Sequence, residues 1–281
     1  MKKRDKPLIL DGAKLVPATK KHKFEQWWYG VTEPYLLKYG NLMLSNPILR
    51  EIYIHQKAPA SLPVSIVLST NAACNFIDFI YSANGANGSA RMSITKCVCQ
   101  TTLKTYCEPV LKDMSLLYTA DMYTTMKHKG IKEDFFLLDT AEEAKEKVRF
   151  FDKCGLIHAV FYCHGSGKWA FVMCNCDEKV CIPYRSYMAG RKEEMQAGPE
   201  RVRLDASLCY GVSKCGKCID RCKFKANSVG INGKSCVDIT KCLGCGLCTT
   251  TCPSGARILE ARPDYNHEDI LTTQILLGRI K

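Results

Sequence analysis

The stretch that most constrains this chain is Cys242-Leu-Gly-Cys245-Gly-Leu-Cys248-Thr-Thr-Thr-Cys252-Pro253, with the spacing C-x2-C-x2-C-x3-C-P. Three thiolates this close on one tight turn each reach a different iron of a cubane iron–sulfur core, and Gly244 and Gly246 let the backbone curl around it. Cys252 sits too far round the turn for the same cube. The spacing therefore asks for a second set of cysteines elsewhere, and one stands upstream: Cys209, Cys215, Cys218 and Cys222, spaced C-x5-C-x2-C-x3-C.

The downstream run is the signature of bacterial ferredoxins, in which the fourth cysteine of each run crosses to the other cluster. The ligand sets expected here are Cys209, Cys215, Cys218 and Cys252 for one [4Fe–4S] cluster, and Cys222, Cys242, Cys245 and Cys248 for the other. Structural zinc is the competing chemistry, because paired C-x2-C motifs also bind zinc. Zinc uses four ligands, usually from two separated pairs, and gives no reason for a third cysteine two residues on or for the closing proline.

The paired runs occupy a small part of the 281 residues, which leaves room for a second domain with its own core. Eighteen cysteines, with no apolar signal-peptide core, argue against a secreted disulfide scaffold and for a reducing, oxygen-poor cytoplasm. No apolar run is long enough to predict a transmembrane helix. The formal charge is +12, and between Arg201 and Arg262 eleven Lys and Arg face four Asp and Glu. Cations beside a cluster favour its reduced form and steer the chain towards an acidic redox protein or a larger oxidoreductase complex. Nucleic acid is not expected, since the basic residues are dispersed and no recognition motif accompanies them.

The chain divides into a basic, aromatic-rich segment (1–60), a cysteine-rich α/β domain (61–188), a charged linker (189–200), a two-cluster domain (201–262) and a tail (263–281). The first segment carries Trp27 and Trp28; paired tryptophans can face a membrane or a partner subunit, but large aromatics are on average highly buried, which favours core or a covered domain face. Leu49 to Ile54 suits a short helix or strand. Two Asn-Gly pairs, ending at Gly85 and Gly88, predict turns; no phosphate-loop pattern follows them. Thr140-Ala-Glu-Glu143 reads as a helix-capping box, with Ala144, Val148 and Phe151 as the apolar stripe and Gly155 as the stop. Residues 156–163 and 169–174 read as a hairpin across His164–Lys168. The tail, with Ile275, Leu276 and Leu277, reads as a short helix that docks on its own chain or on a partner.

A second group of cysteines lies in the front domain. Cys97-Val-Cys99 is followed by Cys107, and the second hairpin strand runs into Cys174-Asn-Cys176 with Cys181 beyond. Each C-x-C brings two sulfurs within reach of one centre, so these six are expected to ligate a third iron–sulfur cluster or metal, against buried structural thiols as the alternative. His158, alone on its strand, is expected to be a satisfied core residue rather than a ligand. Cys236 matches no ligand position and reads as packing; Cys154 and Cys163 have no partner spacing.

The order Leu-Pro-Val, C-x-C-x7-C-x-Pro, Gly155-Leu-Ile-His158, Cys-Asn-Cys and a two-cluster module resembles 4Fe-4S dicluster-domain proteins of anaerobic bacteria and archaea that carry a cysteine-rich front domain. The resemblance covers roughly residues 60 to 262 and implies an α+β fold, a mixed α/β front domain followed by a ferredoxin-like domain. The chain departs from the pattern in the five residues between Cys209 and Cys215, which leave a three-iron cluster open, in Lys223 where proline is usual, and in Met114 where relatives carry cysteine. Three functions follow as expectations: an electron-transfer protein or redox-complex subunit; a reductase whose active site is the front centre; and a non-catalytic docking or activation factor for an acidic oxidoreductase.

Overall fold

The computed structural model describes residues 7–12, 14–56, 63–82, 92–125, 135–163, 169–263, 265 and 273–279. The Asn-Gly pairs and the 164–168 turn lie outside the described residues. From the N-terminus come β1 (Leu8–Asp11), β2 (Lys14–Pro17), α1 (Lys20–Ser45), α2 (Pro47–His55), β3 (Val64–Leu68), α3 (Thr70–Ser82), β4 (Met92–Lys96) and α4 (Val98–Leu103). Then follow β5 (Leu111–Leu116), α5 (Leu117–Thr125), β6 (Phe136–Leu138), α6 (Ala141–Cys154), β7 (Ile157–Tyr162), β8 (Trp169–Cys176), α7 (Ile182–Ala189) and β9 (Met195–Gln196). The C-terminal part holds β10 (Glu200–Leu204), α8 (Lys217–Asp220), β11 (Asn227–Val229), β12 (Ser235–Val237), α9 (Leu247–Thr250), β13 (Arg257–Ala261) and α10 (Thr273–Leu276).

The front of the chain builds one large mixed sheet in the order β6-β4-β5-β8-β7-β3-β9, with β1 on β8 and β2 on β1. Its neighbours are antiparallel except β3 and β9. The expected hairpin is β7–β8. Because side chains alternate along a strand, β7 sends Val160 and Tyr162 to a core shared with α3, α6 and α10. It sends Ile157, Ala159 and Phe161 to the other face, under α1, α5 and α7. The fold is thus mixed α/β, with a large sheet covered by helices.

α6 forms as its sequence predicts: Thr140 accepts from the Glu143 amide, Ala144, Val148 and Phe151 are buried, and Gly155 ends it in the left-handed region. Glu143 reaches one residue further back than a capping box requires, accepting from the amide of Asp139 at 3.0 Å. Leu49 to Ile54 is helical, within α2. The tail folds onto its own chain: Ile275 and Leu276 are buried in the α3 core, and the Asn75 side chain donates to the Leu276 carbonyl at 2.8 Å.

Two expectations change. Residues 189–200 form a packed segment, in which β9 pairs in parallel with β3 and Arg191, only 2 % exposed, pairs with Glu194 at 2.7 Å. Trp27 and Trp28 are 47 % and 49 % exposed. α1 turns Gln26, Tyr29, Leu37 and Met43 inwards instead, leaving the tryptophans to pack with Phe24 on the outside.

Candidate iron–sulfur and cavity sites

In the C-terminal part, β10 pairs with β13 and β11 with β12, and two short loop–helix units repeat. Gly216 and Gly246, both left-handed, open α8 and α9 directly behind Cys215 and Cys245. Gly244 is needed for a reason the motif does not state. A Cβ there would stand 2.0 Å from the Glu200 carbonyl, so only glycine lets the loop cross β10.

The eight cysteines fall into two adjoining groups, with Cys218 touching both. Cys209, Cys215, Cys218 and Cys252 line one small cavity together with Ser235 and Arg257. Cys222, Cys242 and Cys248 pack in a second cluster of buried side chains. Cys245 belongs with them: burial first, then the charges of Cys248, Cys242 and Cys222, pushes its thiol up. The widened loop does not displace Cys209. Its sulfur accepts from the amides of Ser235 and Gly211, which hold the thiol below its usual range. In the second group the amide of Ala226 donates to Cys222 Sγ at 3.2 Å.

Arg257 tests whether a cluster fits these residues. It is 4 % exposed, and its Nη2 donates to Ser235 Oγ at 2.7 Å and to Cys218 Sγ at 3.4 Å. Its Nε and Nη1 are buried with no partner. A buried cation without a counter-charge costs several kcal/mol. Four thiolates around an iron–sulfur core carry the net negative charge that this cation lacks, so the donor set and the orphaned guanidinium fit a cluster together. Among the described residues, no group of three or more His, Cys, Asp and Glu is arranged to hold a metal ion. A cubane spreads its thiolates over separate irons, further apart than four ligands on one zinc at about 2.3 Å.

The front cysteines also converge. Cys174 and Cys176 leave the same face of β8, Cys97 is the N-cap residue of α4 and Cys99 lies in its first turn. Cys181 precedes α7. Thiol contacts link Cys97 to Cys99, Cys99 to Cys181 and Cys181 to Cys176. These five line one cavity of about 660 Å³ between α1 and the sheet. Cys107 is not among its lining residues; it packs behind, against the small cluster that contains Cys97, Cys99 and Val180.

Residues that the motifs did not reveal hold this arrangement. The Asp113 carboxylate accepts from the Val98 amide at 2.9 Å and from the Cys174 thiol, which fixes the Cys97–Cys99 turn against β8. Burial, more than any other cause, pushes its carboxyl up to about 6. Lys112, fully buried, pairs with Asp177 at 2.7 Å. The other Asp177 oxygen accepts from the amides of Lys179 and Val180, shaping the loop that delivers Cys181. Gln100 ties both segments together, donating to the Cys107 carbonyl and to Asp177. The legible signal was the charged pair Lys112-Asp113 inside a strand that is otherwise Leu, Met and Ser.

His158 is no ligand. It is 1 % exposed, its Nδ1 lies 2.6 Å from Asn175 Oδ1 and its Nε2 3.4 Å from Thr70 Oγ1, and burial lowers its pKa. Cys236 contacts Ser228 Oγ on the β11–β12 hairpin, Cys163 is buried and Cys154 is exposed.

The cavity and the second cysteine group are neighbours. Tyr184 and Phe224 pack together with ring centroids 5.9 Å apart, and the Tyr184 hydroxyl donates to the Lys223 carbonyl at 2.7 Å. The Tyr184 hydroxyl is pushed up to about 12, by burial first, then by Glu178 and by Cys222, Cys181 and Cys245. Tyr184 is thus within electrostatic reach of Cys181 in front and of Cys222 and Cys245 behind. The two parts are also joined where Arg221 Nη2 donates to the carbonyls of Asp152 and Lys153 at the end of α6.

Comparison of the chain with protein-family models, with curated proteins and with solved structures finds no match. No helix among the described residues is long and apolar enough to cross a membrane.

Proposed function

We propose that this chain is an iron–sulfur electron-transfer protein, or the electron-transfer subunit of an anaerobic redox complex, of the two-cluster ferredoxin type. The observation that carries the reading is the crossed grouping: Cys252 joins Cys209, Cys215 and Cys218, while Cys222 joins Cys242, Cys245 and Cys248. A [4Fe–4S] cluster, when bound, supplies one-electron transfer at a potential set by charge and hydrogen bonding. Backbone amides of Ser235, Gly211 and Ala226 donate to the cysteine sulfurs. Arg257 supplies buried positive charge, and the basic surface around the module is complementary to an acidic redox partner. Anaerobic purification with iron, sulfide and EPR analysis tests this. The expected content is about eight iron per chain in the two C-terminal clusters; about two zinc ions and no iron sinks it.

A second reading, a reductase, is favoured by one further observation. Cys97, Cys99, Cys174, Cys176 and Cys181 converge on a cavity large enough for a small organic molecule, and Tyr184, three residues after Cys181, feels the charge of Cys181 and of Cys222 and Cys245 in the second group. The five cysteines would hold a third centre, with the cavity as substrate site. Replacing Cys97 and Cys99 by serine should remove a separate spectroscopic signal and spare the other two; unchanged iron content refutes the third centre.

A further inference from the structure

The cavity beside the front cysteines borders open space at Gly30. Gly30 lies in the middle of α1 and lines it, and a Cβ added there meets no heavy atom within 4 Å. Glycine in a helix interior costs about 1 kcal/mol relative to alanine, and here no packing demands it. One turn on is Pro34, also lining the cavity. Having no N–H, Pro34 cannot donate to the Gly30 carbonyl, so the helix offers an acceptor without its usual partner at the same wall. The 26-residue helix thus places a glycine and its one proline, the two weakest helix-forming types, four residues apart where it covers the cavity.

The walls define what fits. Tyr29 and Phe171 lie stacked, with centroids 6.0 Å apart and planes 6° apart, and Phe161, Met122, Leu37 and Ile182 add apolar surface. Glu33 and Asp113 bring two carboxyl groups to the same space. Arg191, which also lines it, is already committed to Glu194 at 2.7 Å and to the Tyr53 carbonyl at 3.0 Å, and lies over the Tyr53 ring. Lys96 is not free either. An anion entering would meet two acids and several thiols, with no uncommitted cation among the described residues to receive it.

We propose that this cavity is a binding site for an uncharged aromatic molecule, admitted beside Gly30 and held against Tyr29 and Phe171. The inference rests on the reading of the cavity as a substrate site and names the class of ligand it takes. Flat apolar surface satisfies the aromatic wall, and a hydroxyl or amide on the ligand satisfies the Gly30 carbonyl or Glu33.

The test is calorimetric titration of the full-length, anaerobically purified protein with 2-naphthol and, separately, with 2-naphthalenesulfonate, which has the same ring system and a negative charge. One 2-naphthol should bind per chain, and the sulfonate should bind at least about tenfold more weakly. Gly30→Phe fills the open space and should weaken 2-naphthol binding at least about tenfold with the melting temperature unchanged or raised. Gly30→Leu, a smaller plug, provides the same comparison if the phenylalanine variant does not fold. Absent binding, equal binding of the sulfonate, or affinity untouched by the plug overturns the proposal. Iron is counted on the same samples. Binding without a third cluster signal refutes the front metal centre and leaves the site standing; a third signal without binding does the reverse.

Discussion

Arg257 Nη2 stands 3.4 Å from Cys218 Sγ in one group of cysteines, and its charge also opposes the burial that pushes the Cys248 thiol of the other group up to about 12. One buried guanidinium thus serves both groups. Asn227 spans the same gap, its Nδ2 donating to the Cys218 carbonyl at 2.8 Å and to the Cys248 sulfur. The two groups are coupled through protein side chains as well as through the crossed cysteines.

Replacing Arg257 by methionine removes a cation that would favour the more negative, reduced form of each proposed cluster. Both reduction potentials should fall, the nearer one by on the order of 60 mV, since one tenfold step is about 59 mV for a one-electron couple. Arg257→Lys should fall less. EPR-monitored redox titration measures this, and unmoved potentials in the methionine variant would show that the guanidinium is only structural.

The crossed grouping makes a prediction that parallel runs would not. Cys252→Ala and Cys209→Ala should abolish the same EPR signal, and Cys222→Ala and Cys245→Ala the other. If Cys222→Ala instead matches Cys209→Ala, each run holds its own cluster and the assignment is wrong.

Lys112 is fully buried against Asp177. Asp177→Asn keeps the oxygen that accepts from Lys179 and Val180 but strands the ammonium, and should destabilise the chain by about 3 kcal/mol. Adding Lys112→Met should recover most of that loss, because a buried pair is costly mainly when one partner is removed alone. Urea unfolding of the two variants measures both, and additivity of their effects would count against the pair.

Glu33 is sheltered by the cavity walls, and burial, with Asp113 as the second cause, pushes its carboxyl up to about 7 from an ordinary 4.5. The folded chain holds this proton more tightly than the unfolded chain. Its contribution to stability is complete below about pH 4.5 and is lost as pH rises through about 7. Glu33→Gln should therefore melt higher than the parent at pH 8, by on the order of 1 kcal/mol once cavity water is allowed for, and match it near pH 4.5. A gain equal at both pH values would remove titration as the cause.

The sequence by itself determined what local spacing can express. C-x2-C-x2-C-x3-C-P and its upstream partner follow from turn geometry, α6 from its cap, stripe and terminal glycine, and the β7–β8 hairpin from its β-rich runs. The two C-x-C pairs were legible as chemistry because neighbouring sulfurs share a turn or a strand face. Tertiary structure alone decided what depends on strand order and on which helix covers which face. Pairing of β5 with β8 brings Asp113 to Cys174 and sets the Cys97 turn beside them. Nothing in residues 97–107 separates Cys107 from its neighbours until α4 packs and leaves it behind. Trp27 and Trp28 were expected inside because large aromatics usually are, yet α1 has only one face to bury, and Tyr29 and Leu37 take it. Arg257 is one of the eleven Lys and Arg between Arg201 and Arg262, and only the β10–β13 pair singles it out by carrying it inwards beside the cysteines. The motif of Cys242 to Pro253 brings its cysteines together through short-range geometry; the buried cation beside them, and the cavity in front of them, exist only once distant segments have packed.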